Sequence, residues 1–115
     1  MRTSSAKAKG RRLQQAVAAA IRERFNLAPD DVRPAIMGES GEDIKLSTAA
    51  REKFPFAVEC KNQERLNVWD ALAQAEANAE RGCPLLVFKR NRTRTYVALS
   101  FDDFMELVGT KCQHE

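Results

Sequence analysis

Apolar positions first recur at helical spacing. Leu13, Val17, Ala20, Ile21 and Phe25 fall three or four residues apart with alanines between them, which predicts a helix over residues 10 to 25. "NLAPDD" ends it, because a proline and the residue before it resist helical geometry. "VRPAIM", residues 32 to 37, reads as a short strand that Pro34 confines to an edge or a bulge. "GESGE", residues 38 to 42, is a turn or loop, and "DIKLS", residues 43 to 47, alternates polar with apolar at the strand period. "TAAREKF" links it to a further strand, "PFAVECK", residues 55 to 61. A helix follows from Asn67 to Arg81 with Val68, Leu72, Ala75 and Ala79 as its buried stripe. Gly82 is expected to cap it, and Pro84 prevents continuation. "PLLVFKR" and "TYVALS" predict a hairpin around Asn91 and Arg92. Ser100 then N-caps a last helix whose first turn carries Asp102 and Asp103, as the helix dipole favours. The order is α-β-β-β-α-β-β-α, an α/β fold in which helices flank a sheet. Residues 1 to 9 are expected to be a flexible basic tail.

A chain of 115 residues suggests one domain. Its balance of 43% hydrophobic and 30% charged residues is that of an ordinary globular protein, and no apolar run is long enough to cross a bilayer. No apolar signal stretch follows the basic N-terminus, so a cytoplasmic protein is expected. Cys60, Cys83 and Cys112 are widely spaced and His114 is the only histidine, which argues against a zinc site or a disulfide framework. The net charge is only +3, but Arg2, Lys7, Lys9, Arg11 and Arg12 form one basic run and "KRNRTR", residues 89 to 94, another. Such patches suit a polyanion such as nucleic acid. They are equally what a solvated surface looks like, and charge alone does not separate the two.

The strand "PFAVECK" carries the chemistry. Side chains alternate along a strand, so Phe56, Val58 and Cys60 share the core face while Ala57, Glu59 and Lys61 share the other. A hairpin with the preceding strand, its loop centred near Arg51, sets Asp43 opposite Glu59 and Lys45 opposite Ala57. Directly opposed residues have Cβ atoms about 5 Å apart. In this register Ile44 and Leu46 also join the apolar face, so one register satisfies both patterns. Two neighbouring carboxylates repel unless a proton or a cation intervenes. Hard oxygen ligands with open positions suit Mg²⁺, which readily takes a phosphate oxygen, and Lys61 could orient a water and offset developing charge. Asp43, Glu59 and Lys61 could equally be a salt-bridged cluster on a half-exposed sheet.

"GED", residues 41 to 43, followed by "ECK", residues 59 to 61, resembles the PD-(D/E)xK nuclease superfamily. "KGRRLQQ", "GESGEDI" and "VECKNQ" together are most similar to the small archaeal and phage Holliday junction resolvases, over nearly the whole chain. The resemblance implies a restriction-endonuclease-like core with a central mixed sheet. It also implies a homodimer that uses Mg²⁺, with Mn²⁺ as a substitute, to nick four-way DNA junctions and leave a 5′-phosphate and a 3′-hydroxyl. It puts the metal-binding aspartate on Asp43, its acidic partner on Glu59, the lysine on Lys61 and a metal-facing backbone carbonyl on Cys60. Where the resolvases carry a glutamate early in the first helix, this chain has Gln14. Either the site needs less charge, or Glu39 or Glu42 substitutes, Glu39 being preferred because Glu42 alternates away from Asp43. The other readings are a nicking or repair enzyme of the same fold and a catalytically silent DNA-binding module.

Further residues are assigned expected roles. Gln63 shares the face of Lys61 if the strand extends. Gln74 is a helix glutamine that could reach the site, and Ser40 could contact a phosphate. Arg11, Arg12, Lys89, Arg90, Arg92 and Arg94 are candidates for backbone phosphate contacts, which give affinity without reading sequence. Trp69 is expected to pack on the sheet. Cys60 points coreward and is not expected to be a nucleophile.

Overall fold

The computed structural model describes residues 2–113, with side chains over residues 5–110. The Cys112 side chain and His114 lie outside that range. Helix α1, Arg2–Phe25, starts well before Gly10, so the expected flexible tail is corrected: residues 2 to 9 are helical. Alanine, lysine and arginine are all strong helix formers, and "AKAKGRR" is rich in them. The Asn62 amide donates to the Lys9 carbonyl at 3.4 Å, which ties this part of the helix to the end of a strand. α1 buries Leu13, Ala18 and Ile21. It stops at Asn26, where φ is +54° and the Leu27 N–H returns to the Arg22 carbonyl at 2.9 Å, a left-handed helix termination.

Two small sheets follow. Strand β1, Val32–Pro34, pairs antiparallel with β2, Ile44–Leu46. Strand β3, Phe56–Asn62, pairs parallel with β4, Cys83–Lys89, and β4 pairs antiparallel with β5, Tyr96–Ala98. Asp43 joins the sheets. Its N–H donates to the Val58 carbonyl at 2.9 Å, and its carbonyl accepts from Ala35 N–H at 2.7 Å. The expected direct hairpin between residues 43–47 and 55–61 is therefore corrected: β2 ladders with β1, and only its entry touches β3. The connection is also no loop but helix α2, Thr48–Lys53. Ser47 caps it by accepting from Ala50 N–H and donates its own hydroxyl to Asp31 at 2.7 Å.

Both faces of the larger sheet are covered along β3 and the middle of β4. Val58, Cys60, Leu85 and Val87 join Leu13, Ala18, Ile21, Val32 and Ile44 in one core. On the other face, Ala57 and Leu86 are fully buried, as are Ala71 and Ala75 of helix α3, Val68–Asn78. Small alanines let that helix lie close to the strands. Burying each large aliphatic, such as Ile44 or Leu86, contributes about 1.5–3 kcal/mol.

α3 ends at Asn78, earlier than expected, and Gly82 does not cap it. Gly82 instead holds φ at +90° where a Cβ would sit 3.0 Å from the Pro55 carbonyl oxygen. The buried stripe is Ala71 and Ala75; Trp69 is 82% exposed and does not pack on the sheet. Helix α4, Phe101–Gln113, leaves Phe101, Phe104, Met105, Leu107 and Val108 exposed. No helix among the described residues is long and apolar enough to cross a membrane.

Candidate active site

Glu59 lies on the α3 face of β3, but it is buried, only 3% exposed. A surface salt-bridge cluster is thereby excluded for it. A carboxylate in such a place must be paired or hydrogen-bonded. Lys61, two residues on along the same face, brings Nζ within 3.7 Å of Glu59 Oε2. Asn78, at the end of α3, donates from Nδ2 to Glu59 Oε1 at 3.2 Å. Asp43 arrives from the other sheet. Its backbone N–H is fixed to Val58, and its Oδ2 accepts from Cys60 N–H at 2.8 Å. The two bonds bracket Glu59.

The electrostatics follow from this packing. Burial pushes the Asp43 carboxyl above its ordinary pKa, against the Cys60 N–H, Lys61 and Lys45. Burial also raises Glu59, and the nearby Asp43 charge raises it further, against Asn78 and Lys61. Two adjacent carboxylates that resist ionisation are the signature of a site awaiting positive charge. Among the described residues no three or more His, Cys, Asp or Glu side chains gather as a metal cage. Two carboxylates and a neighbouring backbone carbonyl do fit a hard divalent ion that keeps several of its waters. The Cys60 thiol is buried and pushed far up by burial and by both acids, so it is no nucleophile.

An open cleft of about 740 Å³ lies beside Asp43, lined in part by Gln14, Arg11, Lys7 and Glu39. Gln14 therefore opens into the same space as Asp43. Glu39 is there too, but Arg33 holds it at 3.0 Å through both oxygens, and with the Ile36 N–H keeps its pKa down to about 2. Glu42 is committed elsewhere. Buried beneath the loop, it accepts from the N–H groups of Glu80 and Arg81 and pairs with Arg51. Ser40 is exposed, its carbonyl accepting from Lys45 Nζ at 2.6 Å.

Gln63 is exposed just past β3, at a second, smaller cleft. Arg12, Arg90, Arg92 and Arg94 are exposed, and Lys89 is half-buried at the end of β4. Gln74 is exposed. The α3 residue that reaches Glu59 is Asn78, one turn later. Sequence reasoning passed over Asn78 and Lys45. The i, i+4 spacing from Gln74 would have found the first, and the alternation of "DIKLS" the second.

A mixed sheet whose β3 strand presents Glu-x-Lys, with an aspartate docked against that strand from the entry to β2, matches the PD-(D/E)xK class of nucleases. A family model described as "Phage putative PDDEXK endonuclease" matches residues 5–113, and the chain belongs to that family. It is thus a phage-type endonuclease with a restriction-endonuclease-like core. Neither the curated proteins nor the solved structures offer a match.

Proposed function

We propose that this chain is a single-domain, Mg²⁺-dependent, structure-specific endodeoxyribonuclease that nicks four-way DNA junctions as a homodimer in the host cytoplasm. The observation that carries the reading is the bracketing of Glu59 by the two Asp43 hydrogen bonds, with Lys61 alongside. Asp43 and Glu59 would hold the metal through carboxylate oxygens and Cys60 through its carbonyl, with Mn²⁺ able to replace Mg²⁺. When bound, the ion supplies Lewis-acid stabilisation of the phosphate under attack. Lys61 orients the attacking water and offsets charge developing on the phosphate. The water oxygen bonds to phosphorus, the bond to the 3′ oxygen breaks, and that oxygen takes a proton, leaving a 5′-phosphate and a 3′-hydroxyl. Asn78 fixes the Glu59 carboxylate, and Gln14 offers its amide to a water in the cleft. Arg11 and Arg12 on α1, and Lys89, Arg90, Arg92 and Arg94 on the β4–β5 side, contact phosphates of separate DNA arms. Ser40 and Gln63 add neutral phosphate contacts. The exposed Phe101, Phe104, Met105 and Val108 of α4 support a dimer, because an apolar stripe of this kind favours burial against a partner.

The test is cleavage of a four-way junction, a flap and plain duplex, each with Mg²⁺ and with EDTA. The expected result is junction nicking that EDTA abolishes and that Asp43→Ala or Glu59→Ala lowers at least a hundredfold with junction binding retained. Equal cutting of linear duplex would replace the junction assignment with a general nicking enzyme. Binding without cutting in either Mg²⁺ or Mn²⁺ would make the chain a silent DNA-binding module.

A further inference from the structure

The smaller cleft, about 330 Å³, opens on the sheet face that carries the reacting groups. Its apolar walls are Leu66, Val68, Phe88 and Tyr96, and Lys89 and Arg90 line it as well. The strand registers locate it. Lys61 pairs with Phe88, and Phe88 pairs with Tyr96, so the three form one row across β3, β4 and β5. Neighbouring strands are about 4.8 Å apart, which puts Tyr96 about 10 Å from the lysine of the candidate active site. The Phe88 and Tyr96 rings lie 6.3 Å apart, tilted by 37°, and Tyr96 is 54% exposed. An aromatic side chain half open to solvent and lining a cleft leaves surface free for a ligand to cover.

We infer that this cleft receives one unpaired nucleobase of the DNA being cut, stacked on Tyr96, with the adjoining phosphates on Lys89 and Arg90. The inference rests on the nuclease reading and adds the means by which branched DNA is distinguished from duplex: only a base out of its stack can enter. Charge argues for a nucleotide over a second copy of the chain. The loop after β4 runs "KRNRTR" without an acid, so two copies meeting here would bring like charges together, whereas a phosphate neutralises them. The one acid at the cleft, Glu64, is already engaged, accepting from Asn91 N–H at 2.6 Å with Lys9 at 3.9 Å. Gln63 lines the cleft beside it, and its amide can donate to an adjoining phosphate.

The experiment uses the full chain in EDTA, so that binding is read without cleavage. The probes are a DNA duplex with a single unpaired 2-aminopurine and the same duplex with that base paired. The bulged probe should bind about tenfold tighter, since base–aromatic stacking contributes on that scale, and its fluorescence should be quenched on binding. Tyr96→Ala and the apolar but non-aromatic Tyr96→Leu should lose both effects, and Tyr96→Phe should retain them. Equal affinity for the two probes, or quenching unchanged in Tyr96→Leu, overturns the inference. So does concentration-dependent burial of Tyr96 in the absence of DNA. Cleavage that proceeds in Mg²⁺ with Tyr96 irrelevant sinks this site and leaves the nuclease reading standing. Quenching without any cleavage sinks the nuclease reading and leaves this site.

Discussion

Replacing Glu42 by alanine separates a structural acid from a reacting one. Glu42 is 3% exposed and sits next to Asp43. One carboxylate oxygen accepts the N–H groups of Glu80 at 2.6 Å and Arg81 at 3.0 Å. The other lies 3.1 Å from Arg51, which also donates to the Arg81 carbonyl at 2.7 Å. The carboxylate thus ties the loop before β2, helix α2 and the turn after α3 to one point. Alanine leaves two N–H groups and a guanidinium without their acceptor. Hydrogen bonds to a charged group contribute about 1.5–3 kcal/mol each and do not simply add. Breaking a buried pair from one side costs about 3–5 kcal/mol, and the expected loss is in that range. For a domain of this size that is a fall in Tm on the order of 20 °C. Glu42→Gln, which keeps an acceptor but no charge, should fall between. The pH dependence has a definite sign. Burial opposes the charged form of Glu42, but the Arg81 and Glu80 N–H groups and Arg51 outweigh it and hold the pKa below the ordinary value. The contribution is therefore present above the unfolded pKa of about 4.3 and lost as pH falls through the lower folded one. The gap between wild type and Glu42→Gln should narrow in acid. Urea denaturation followed by circular dichroism reads all three proteins. If Glu42→Ala unfolds within about 0.5 kcal/mol of wild type yet no longer cuts DNA, the structural assignment is wrong and Glu42 belongs to the reaction.

If Glu59 holds a divalent ion as proposed, Asn78→Ala should lower the cleavage rate about tenfold and raise the metal concentration needed, as loss of a hydrogen bond to a liganding carboxylate does, and Gln74→Ala should leave both unchanged in the same assay. In EDTA, the ionisation of Asp43 and Glu59 opposes folding because both pKa values are raised. Their favourable contribution is full below the unfolded carboxylate values and is lost as pH rises through the raised ones, so Asp43→Asn should melt above wild type at neutral pH and match it in acid. Gly82→Ala should cost about 1–3 kcal/mol by thermal melting, since φ there is +90° and the new methyl meets the Pro55 carbonyl.

Periodicity made the long elements and the acidic strand legible. β3 alternates cleanly, and its parity alone put Glu59 and Lys61 on one face, where they meet at 3.7 Å. Parity alone left open whether this face was half exposed, and the structure buries Glu59 on it. A strand buried on both sides shows its second covering layer only through the helix that supplies it, and α3 supplies only alanines, a weak apolar signal. The hairpin failed for a local reason. "STAAREK" reads as a connection, but Ser47 finds Ala50 N–H at its own helix start and the link coils instead. The role of Glu42 was illegible because the Glu80 N–H it accepts lies 38 residues away, and no spacing rule reaches that far. Trp69 was misplaced because a residue's size says nothing about which side of its helix the sheet occupies.

Adjacent acids in a strand-like segment must point opposite ways, and here the chain uses both directions. Gly41, with φ at +89°, turns the loop so that Glu42 enters the protein while Asp43 meets β3. Glu42 is neutralised on arrival by Arg51 and two N–H groups. Asp43 spends one oxygen on Cys60 and has Lys61 and Lys45 near its charge. Anchoring the first acid immobilises the backbone of the second, because only one peptide unit separates them. The Glu42–Arg51 pair therefore adds to the bonds from Val58, Ala35 and Cys60 that hold Asp43 in place. Any substitution that frees Glu42 should loosen Asp43 as well, even where the Asp43 side chain and its own hydrogen bonds are untouched.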